Sequence, residues 1–74
     1  MLEKIKEIVS DFSKIDKEKI TEDTNIADLG VDSLTMLKII MELEHVFNIH
    51  FEDEEIVESR TVADLEENIL KKKS

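Results

Sequence analysis

The sequence predicts an all-α fold: a four-helix bundle with three longer helices, one short third helix and a long loop between helices one and two. Apolar residues recur at helical spacing in three separate stretches. One Gly and no Pro leave few of the residues that tight hairpins and β-turns depend on, while Leu, Ile, Lys and Glu abound. The 74 residues suit one domain spanning 1–74 with a single core, and a domain of that size buries a modest share of its surface.

In the first helix, Leu2, Ile5, Ile8, Val9, Phe12 and Ile15 form one face and Glu3, Lys4, Lys6, Glu7 and Asp11 the other, with an end near Lys14. Residues 16 to 31 lose that period but keep Ile20, Ile26 and Leu29 as apolar pins, which reads as a long ordered loop; loops of this length in small domains have a task or pack by their own side chains. Gly30 can take positive φ, and Asp32 or Ser33 can accept from the free N–H groups of the turn that follows, so a second helix starts there and runs to about Phe47. Asp53 is the expected cap of a short third helix through Val57. Thr61, with Asp64 three residues on, caps a last helix whose stripe is Val62, Leu65, Ile69 and Leu70. Lys71, Lys72 and Lys73 suit its negative end.

The second helix carries two apolar stripes. Met36, Ile39, Ile40, Leu43, Val46 and Phe47 gather on one side and make the expected core face. Leu34, Leu37 and Met41 form a separate stripe beginning beside Ser33. Either the long loop folds over this second stripe, or it stays open as an adaptable apolar contact ringed by charge, the anatomy of a transient protein interface.

Charge narrows the function classes. The formal net charge is −9, and residues 28 to 67 hold twelve acids against two bases, Lys38 and Arg60. Such a field repels nucleic acid phosphates and attracts basic protein surfaces. With no Cys there is no disulfide, thiolate metal site or cysteine nucleophile. The charged N-terminal stretch does not read as a signal peptide, and no apolar run approaches membrane-spanning length, so a cytoplasmic, monomeric protein without membrane insertion is expected. Glu52 to Glu55 lack the spacing and Gly of a calcium loop, His45 and His50 lack a ligand spacing, and no metal site is expected. Phe12, Phe47 and Phe51 read as core or core-edge packing. No acid pair, His–nucleophile motif or phosphate-binding Gly loop points to an enzyme.

The run Asp28-Leu29-Gly30-Val31-Asp32-Ser33-Leu34, after a long loop and at the head of the second helix, resembles the prosthetic-group attachment motif of acyl carrier proteins. Chain length, acidity, helix order, Leu43-Glu44 with Phe47, and Asp53-Glu54-Glu55 extend the resemblance over essentially the whole chain. The resemblance implies that Ser33 receives 4′-phosphopantetheine from coenzyme A, with Asp32 helping transferase recognition or metal contact. It implies that acyl groups of fatty acid or related biosynthesis travel as thioesters on the arm. It also implies partners, a phosphopantetheinyl transferase and acyl-processing synthase enzymes with basic surfaces, that meet Leu34, Leu37, Met41, Glu44, Glu54 and Glu55. Chemically, a serine at a helix start is exposed and near N–H groups that favour a phosphodiester anion, while its own hydroxyl is a poor nucleophile without a base.

Lys38 and Thr35 stand where carriers of bacterial fatty acid synthesis commonly show acids. This departure points to a dedicated carrier, for polyketide or aminoacyl intermediates, as the alternative. A third reading, from another class, is an unmodified helical interaction module in which Ser33 only caps the second helix; there Ser33→Ala loses about 1 kcal/mol of capping. Whatever the pathway, twelve acids against two bases in one stretch repel one another. Moderate salt or millimolar divalent cations should therefore raise the melting temperature, as followed by circular dichroism; a flat response would mean that the acids are already paired or far apart.

Overall fold

Each of three stretches with a helical apolar period supplies three fully buried side chains to one core: Ile5, Ile8 and Val9; Ile39, Ile40 and Leu43; Val62, Leu65 and Ile69. Their spacings of one, three and four residues put each set on one helix face. The computed structural model describes residues 1–73 and contains α1 (Leu2–Ser13), α2 (Ser33–Phe47), α3 (Asp53–Glu58) and α4 (Val62–Lys73). Helix α1 packs against both α2 and α4. Phe51, between α2 and α3, is fully buried, while Phe12 and Phe47 lie at the core edge.

The connection between α1 and α2 is ordered, with two 3₁₀ turns, Lys17–Lys19 and Ile26–Leu29. Turns of three or four residues have no face to repeat, which is why the helical period disappears there. Asn25 starts the second turn by accepting the Ala27 N–H at 3.0 Å, and Thr24 Oγ1 accepts the Thr21 N–H at 2.8 Å. Ile20 and Ile26 are both buried in the core, fulfilling their expected role as pins.

Two helices end in the left-handed region at non-glycine residues, Lys14 after α1 (φ 66°) and Asn48 after α2 (φ 54°). The Lys14 N–H closes on the Ser10 carbonyl at 2.9 Å and the Ile49 N–H on the Glu44 carbonyl at 3.1 Å, so the last carbonyls are satisfied. Gly30, at φ 77°, ends the second 3₁₀ turn and reverses the chain into α2.

The start of α4 is held from two sides. Thr61 Oγ1 accepts the Asp64 N–H at 3.1 Å, and Asp64 Oδ2 accepts the N–H groups of Arg60 and Thr61 at 2.9 and 3.0 Å, the expected reciprocal cap. The next free donors are taken by the α1–α2 connection: the Val62 N–H reaches the Thr24 carbonyl at 3.2 Å and the Ala63 N–H the Glu22 carbonyl at 2.9 Å. The Ile26 N–H returns a bond to the Arg60 carbonyl at 2.9 Å, beside an isolated antiparallel bridge of Asn25 with Thr61.

Two expectations are corrected and a third is extended. The cap of α3 is Glu52, not Asp53: its side chain and that of Glu55 form a capping box, with the Glu52 N–H donating to Glu55 Oε1 at 2.8 Å. A glutamate is long enough to serve there, and Asp53 becomes the first helical residue. Val46 and Leu70, assigned to core stripes by periodicity, are exposed because each lies at the angular edge of its stripe, beside a neighbour, Phe47 or Ile69, that takes the core-facing position. The terminal lysines do more than offset a dipole, since Lys72 Nζ pairs with Glu55 at 2.7 Å and Lys73 Nζ donates to the Phe47 carbonyl at 3.0 Å.

The Arg60 N–H, then the Thr61 N–H, holds the Asp64 carboxyl below the usual aspartate value of 3.8. A depressed folded value contributes stability that is fully present above the unfolded value and lost as pH falls through the folded one. Asp64→Ala should thus cost about 1 kcal/mol at neutral pH. In urea melts at stepped pH, the gap to wild type should begin to close below 3.8; a gap independent of pH would refute the capping role.

Candidate functional site

Ser33 opens α2 as its first helical residue, and Asp32 is the cap: Asp32 Oδ1 accepts the Thr35 N–H at 2.8 Å. That bond is also the main reason the Asp32 carboxyl lies below its usual range, with a smaller contribution from the Lys38 charge. The Ser33 side chain is exposed, and its hydroxyl makes no hydrogen bond among the described residues. A Ser33 whose task is to cap the helix is therefore overturned, because its neighbour holds that position.

Beside Ser33 lies an open cleft of about 400 Å³ between the Ile26–Leu29 turn, the head of α2 and the end of α3. Ile26, Val31, Met36 and Ile56 give it an apolar side, and Asp32, Ser59 and Arg60 a polar one. Ser59 is buried but satisfied: its Oγ donates to the Glu55 carbonyl at 2.7 Å and accepts from Asn68 Nδ2 at 2.8 Å. The α3 side of this cleft is what sequence reading missed. Ile56 and Ser59 fall in a segment too short to show a period, although Arg60, one of two bases in the acidic stretch, is a signal in plain sight.

On the outer face of α2, Leu34, Leu37 and Met41 are 61, 47 and 58% exposed. The α1–α2 connection does not cover them, so this stripe stays open. With a rise of about 1.5 Å per residue it runs about 10 Å from the attachment motif down the helix. Val57 adds an exposed apolar side chain on α3, next to the exposed Asp53, Glu54 and Glu58.

The acids expected at the partner surface divide. Glu54 is exposed on α3. Glu44 is half-buried, its Oε2 accepting the Phe51 N–H at 2.8 Å with His50 Nδ1 at 3.2 Å, so it ties the α2–α3 loop to α2. Glu55, also half-buried, is held low first by Lys72 and next by the Glu52 N–H. Both carboxylates are occupied by internal bonds. His45 and His50 are exposed, and among the described residues no group of three or more His, Asp or Glu side chains is placed to hold a metal ion.

Residues 3–69 match the family model described as a phosphopantetheine attachment site. The acyl carrier protein of Syntrophobacter fumaroxidans is 38% identical over 72 residues, covering 96% of this chain and 89% of its own. Among solved structures, the acyl carrier protein of Enterococcus faecalis superposes with a TM-score of 0.83 at 29% identity, over 96% of this chain and 91% of that one. That of Thermotoga maritima gives a TM-score of 0.78 at 36% identity, over 93% and 81%. A free serine at a helix start, a cleft beside it and a match across nearly the whole length agree: the chain belongs to the acyl carrier protein family, whose members carry acyl cargo on covalent phosphopantetheine and are carriers rather than enzymes.

Proposed function

We propose that Ser33 is the residue that receives 4′-phosphopantetheine and that Leu34, Leu37, Met41 and Glu54 form the surface met by partner enzymes. The observation that carries this reading is an exposed Ser33 hydroxyl, free of hydrogen bonds among the described residues, standing between an open cleft and an open apolar stripe. The site fits the group: no side chain must move for a transferase to reach Ser33 Oγ, and the N–H groups of the first turn of α2 favour the phosphodiester anion left there.

In the loading step Ser33 Oγ forms a bond to phosphorus, the bond to the nucleotide half of coenzyme A breaks, and the serine proton leaves to a base. This chain places no base at Ser33, so the transferase supplies it. Asp32, exposed and kept ionised, is available for transferase recognition or for a metal the transferase brings. When bound, the arm supplies a terminal thiol that holds acyl groups as thioesters. The cleft beside Ser33 gives such cargo a place to fold back against Ile26, Met36 and Ile56.

Basic partner surfaces suit the acidic stretch, and electrostatic steering gives association rates that fall with salt. Lys38, exposed on α2 next to Leu37, interrupts that acidity, and this favours a dedicated pathway over the general fatty acid one. Genes for adenylating or condensing enzymes beside this one would support that choice, and a complete fatty acid operon would count against it.

Incubation with coenzyme A and a broad-specificity phosphopantetheinyl transferase should add the mass of the arm to wild type and not to Ser33→Ala, read by intact mass spectrometry. Failure of wild type to gain it, where a control carrier does, would sink the assignment. Ser33→Ala should shift folding stability by less than about 0.5 kcal/mol, whereas Asp32→Ala, which removes the cap, should lower the melting temperature. On the loaded protein, Leu37→Ala should weaken association with an acyl-processing partner about fivefold, the equivalent of roughly 1 kcal/mol. Unchanged affinity in Leu37→Ala and in Met41→Ala would place the partner surface elsewhere.

A further inference from the structure

The two positive charges in the acidic stretch both stand near Ser33. Lys38 is close enough to contribute to the low pKa of Asp32, and Arg60 lines the cleft. Arg60 is the chain's single arginine. Its backbone is clamped: the N–H donates to Asp64 Oδ2 at 2.9 Å and the carbonyl accepts from the Ile26 N–H at 2.9 Å. Its guanidinium, by contrast, forms no ion pair within 4 Å among the described residues. An arginine in a stretch carrying twelve acids has abundant chances to pair. Here Glu58, two residues before it, and Asp64, four residues after it, form no ion pair with it among the described residues, and Asp64 directs its bonds to the backbone N–H groups of Arg60 and Thr61.

Resting on the assignment of Ser33 as the attachment residue, we propose that Arg60 is the anion-binding residue of the Ser33 cleft, holding an anionic oxygen group tethered to that serine. Two groups share this chemistry: the phosphodiester of the arm and a carboxylate at the far end of an acyl cargo. A guanidinium presents a planar fork of donors that fits either one in two parallel hydrogen bonds. Arg60 is exposed, so such a pair forms in contact with solvent, with Ile26, Met36 and Ile56 as the apolar side beside it. Asp32, on the same cleft, repels an anion, so the tethered group is driven toward Arg60. The fixed backbone of Arg60 limits the search its side chain must make.

Because the chain has one arginine, its Nε–H gives one resolved resonance and reports directly. The protein is loaded through the transferase with the unacylated arm, a butyryl arm or a succinyl arm, in wild type, Arg60→Gln and Arg60→Lys, and each product is verified by intact mass. If Arg60 holds the phosphodiester, the Nε–H resonance moves on going from the unmodified to the unacylated loaded protein, and succinyl adds no further shift. If it holds a cargo carboxylate, the succinyl form moves it and the butyryl form does not. In that second case, holding the carboxylate keeps it from attacking its own thioester, so the succinyl form should be lost more slowly in wild type than in Arg60→Gln, with Arg60→Lys between them, while the butyryl form is lost at the same rate in all three. An Nε–H resonance unchanged in all loaded forms, with loading proven by mass, overturns the proposal and leaves Ser33 as the attachment residue. A chain that never gains the arm removes both.

Discussion

Everything around Ser33 depends on a backbone staple between the α1–α2 connection and the start of α4. The four amide groups that begin any helix need partners, and α4 draws two of its partners from the carbonyls of Glu22 and Thr24. Ile26 answers by donating to Arg60. This exchange fixes the turn Ile26–Leu29 against the α3–α4 junction, with the Ile26 side chain buried below it. From there Gly30 turns the chain, Asp32 caps α2, and Ser33 emerges with its hydroxyl unused. The cleft is the space left between the two stapled segments, so the same bonds that start α4 also position Ser33.

Much of the acidity that reads as a docking field turns out to hold the backbone together. Asp32 caps α2, Glu52 and Glu55 cap α3, Asp64 caps α4, and Glu44 holds the Phe51 N–H. A group committed to a backbone bond cannot also reorganise around a partner at no cost. The freely exposed acids of α3, Asp53, Glu54 and Glu58, carry no such commitment. Charge in this chain therefore divides into acids that build the scaffold and acids that face outward, a division net charge alone cannot express.

That division marks how far the sequence could be read. Helices α1, α2 and α4 were legible because each buries a face long enough to repeat, and the caps at Asp32 and Thr61 because their side chains reach the free N–H groups by local rules. The exposed stripe of Leu34, Leu37 and Met41 was legible because one helix cannot bury two faces in a single core. Val46 and Leu70 were misplaced since periodicity does not say how wide a stripe of each helix the core covers. Glu52 was passed over because Asp53 has the stronger local preference for a cap, whereas the box with Glu55 decides it. The far side of the cleft was not legible as one surface: Arg60 stood out as one of two bases in the acidic stretch, but what joins it to Ile56 and Ser59 is long-range bonding from Ile26 to Arg60 and from Asn68 to Ser59, which leaves no trace in local spacing.

The two sides of the cleft are held unequally, and this bears on how a carrier can work. On the α2 side, Ile39, Ile40 and Leu43 are fully buried and the helix packs against α1, so moving it would expose the core. Helix α3 has no fully buried residue; Ile56 is half-buried and Val57 is exposed. Ile56 packs against the core, and what otherwise ties α3 to α4 is polar: the Lys72–Glu55 ion pair and the bond from Asn68 to Ser59. Hydrogen bonds and ion pairs at a surface can be exchanged for water at small net cost, whereas apolar burial cannot. Opening the cleft by displacing α3 thus disturbs little of the core, while Ser33 stays anchored to the rigid side through Asp32 and α2. Ser33 and the less buried wall of its cleft thus belong to different elements, so a shift of α3 would leave the backbone that holds Ser33 in place.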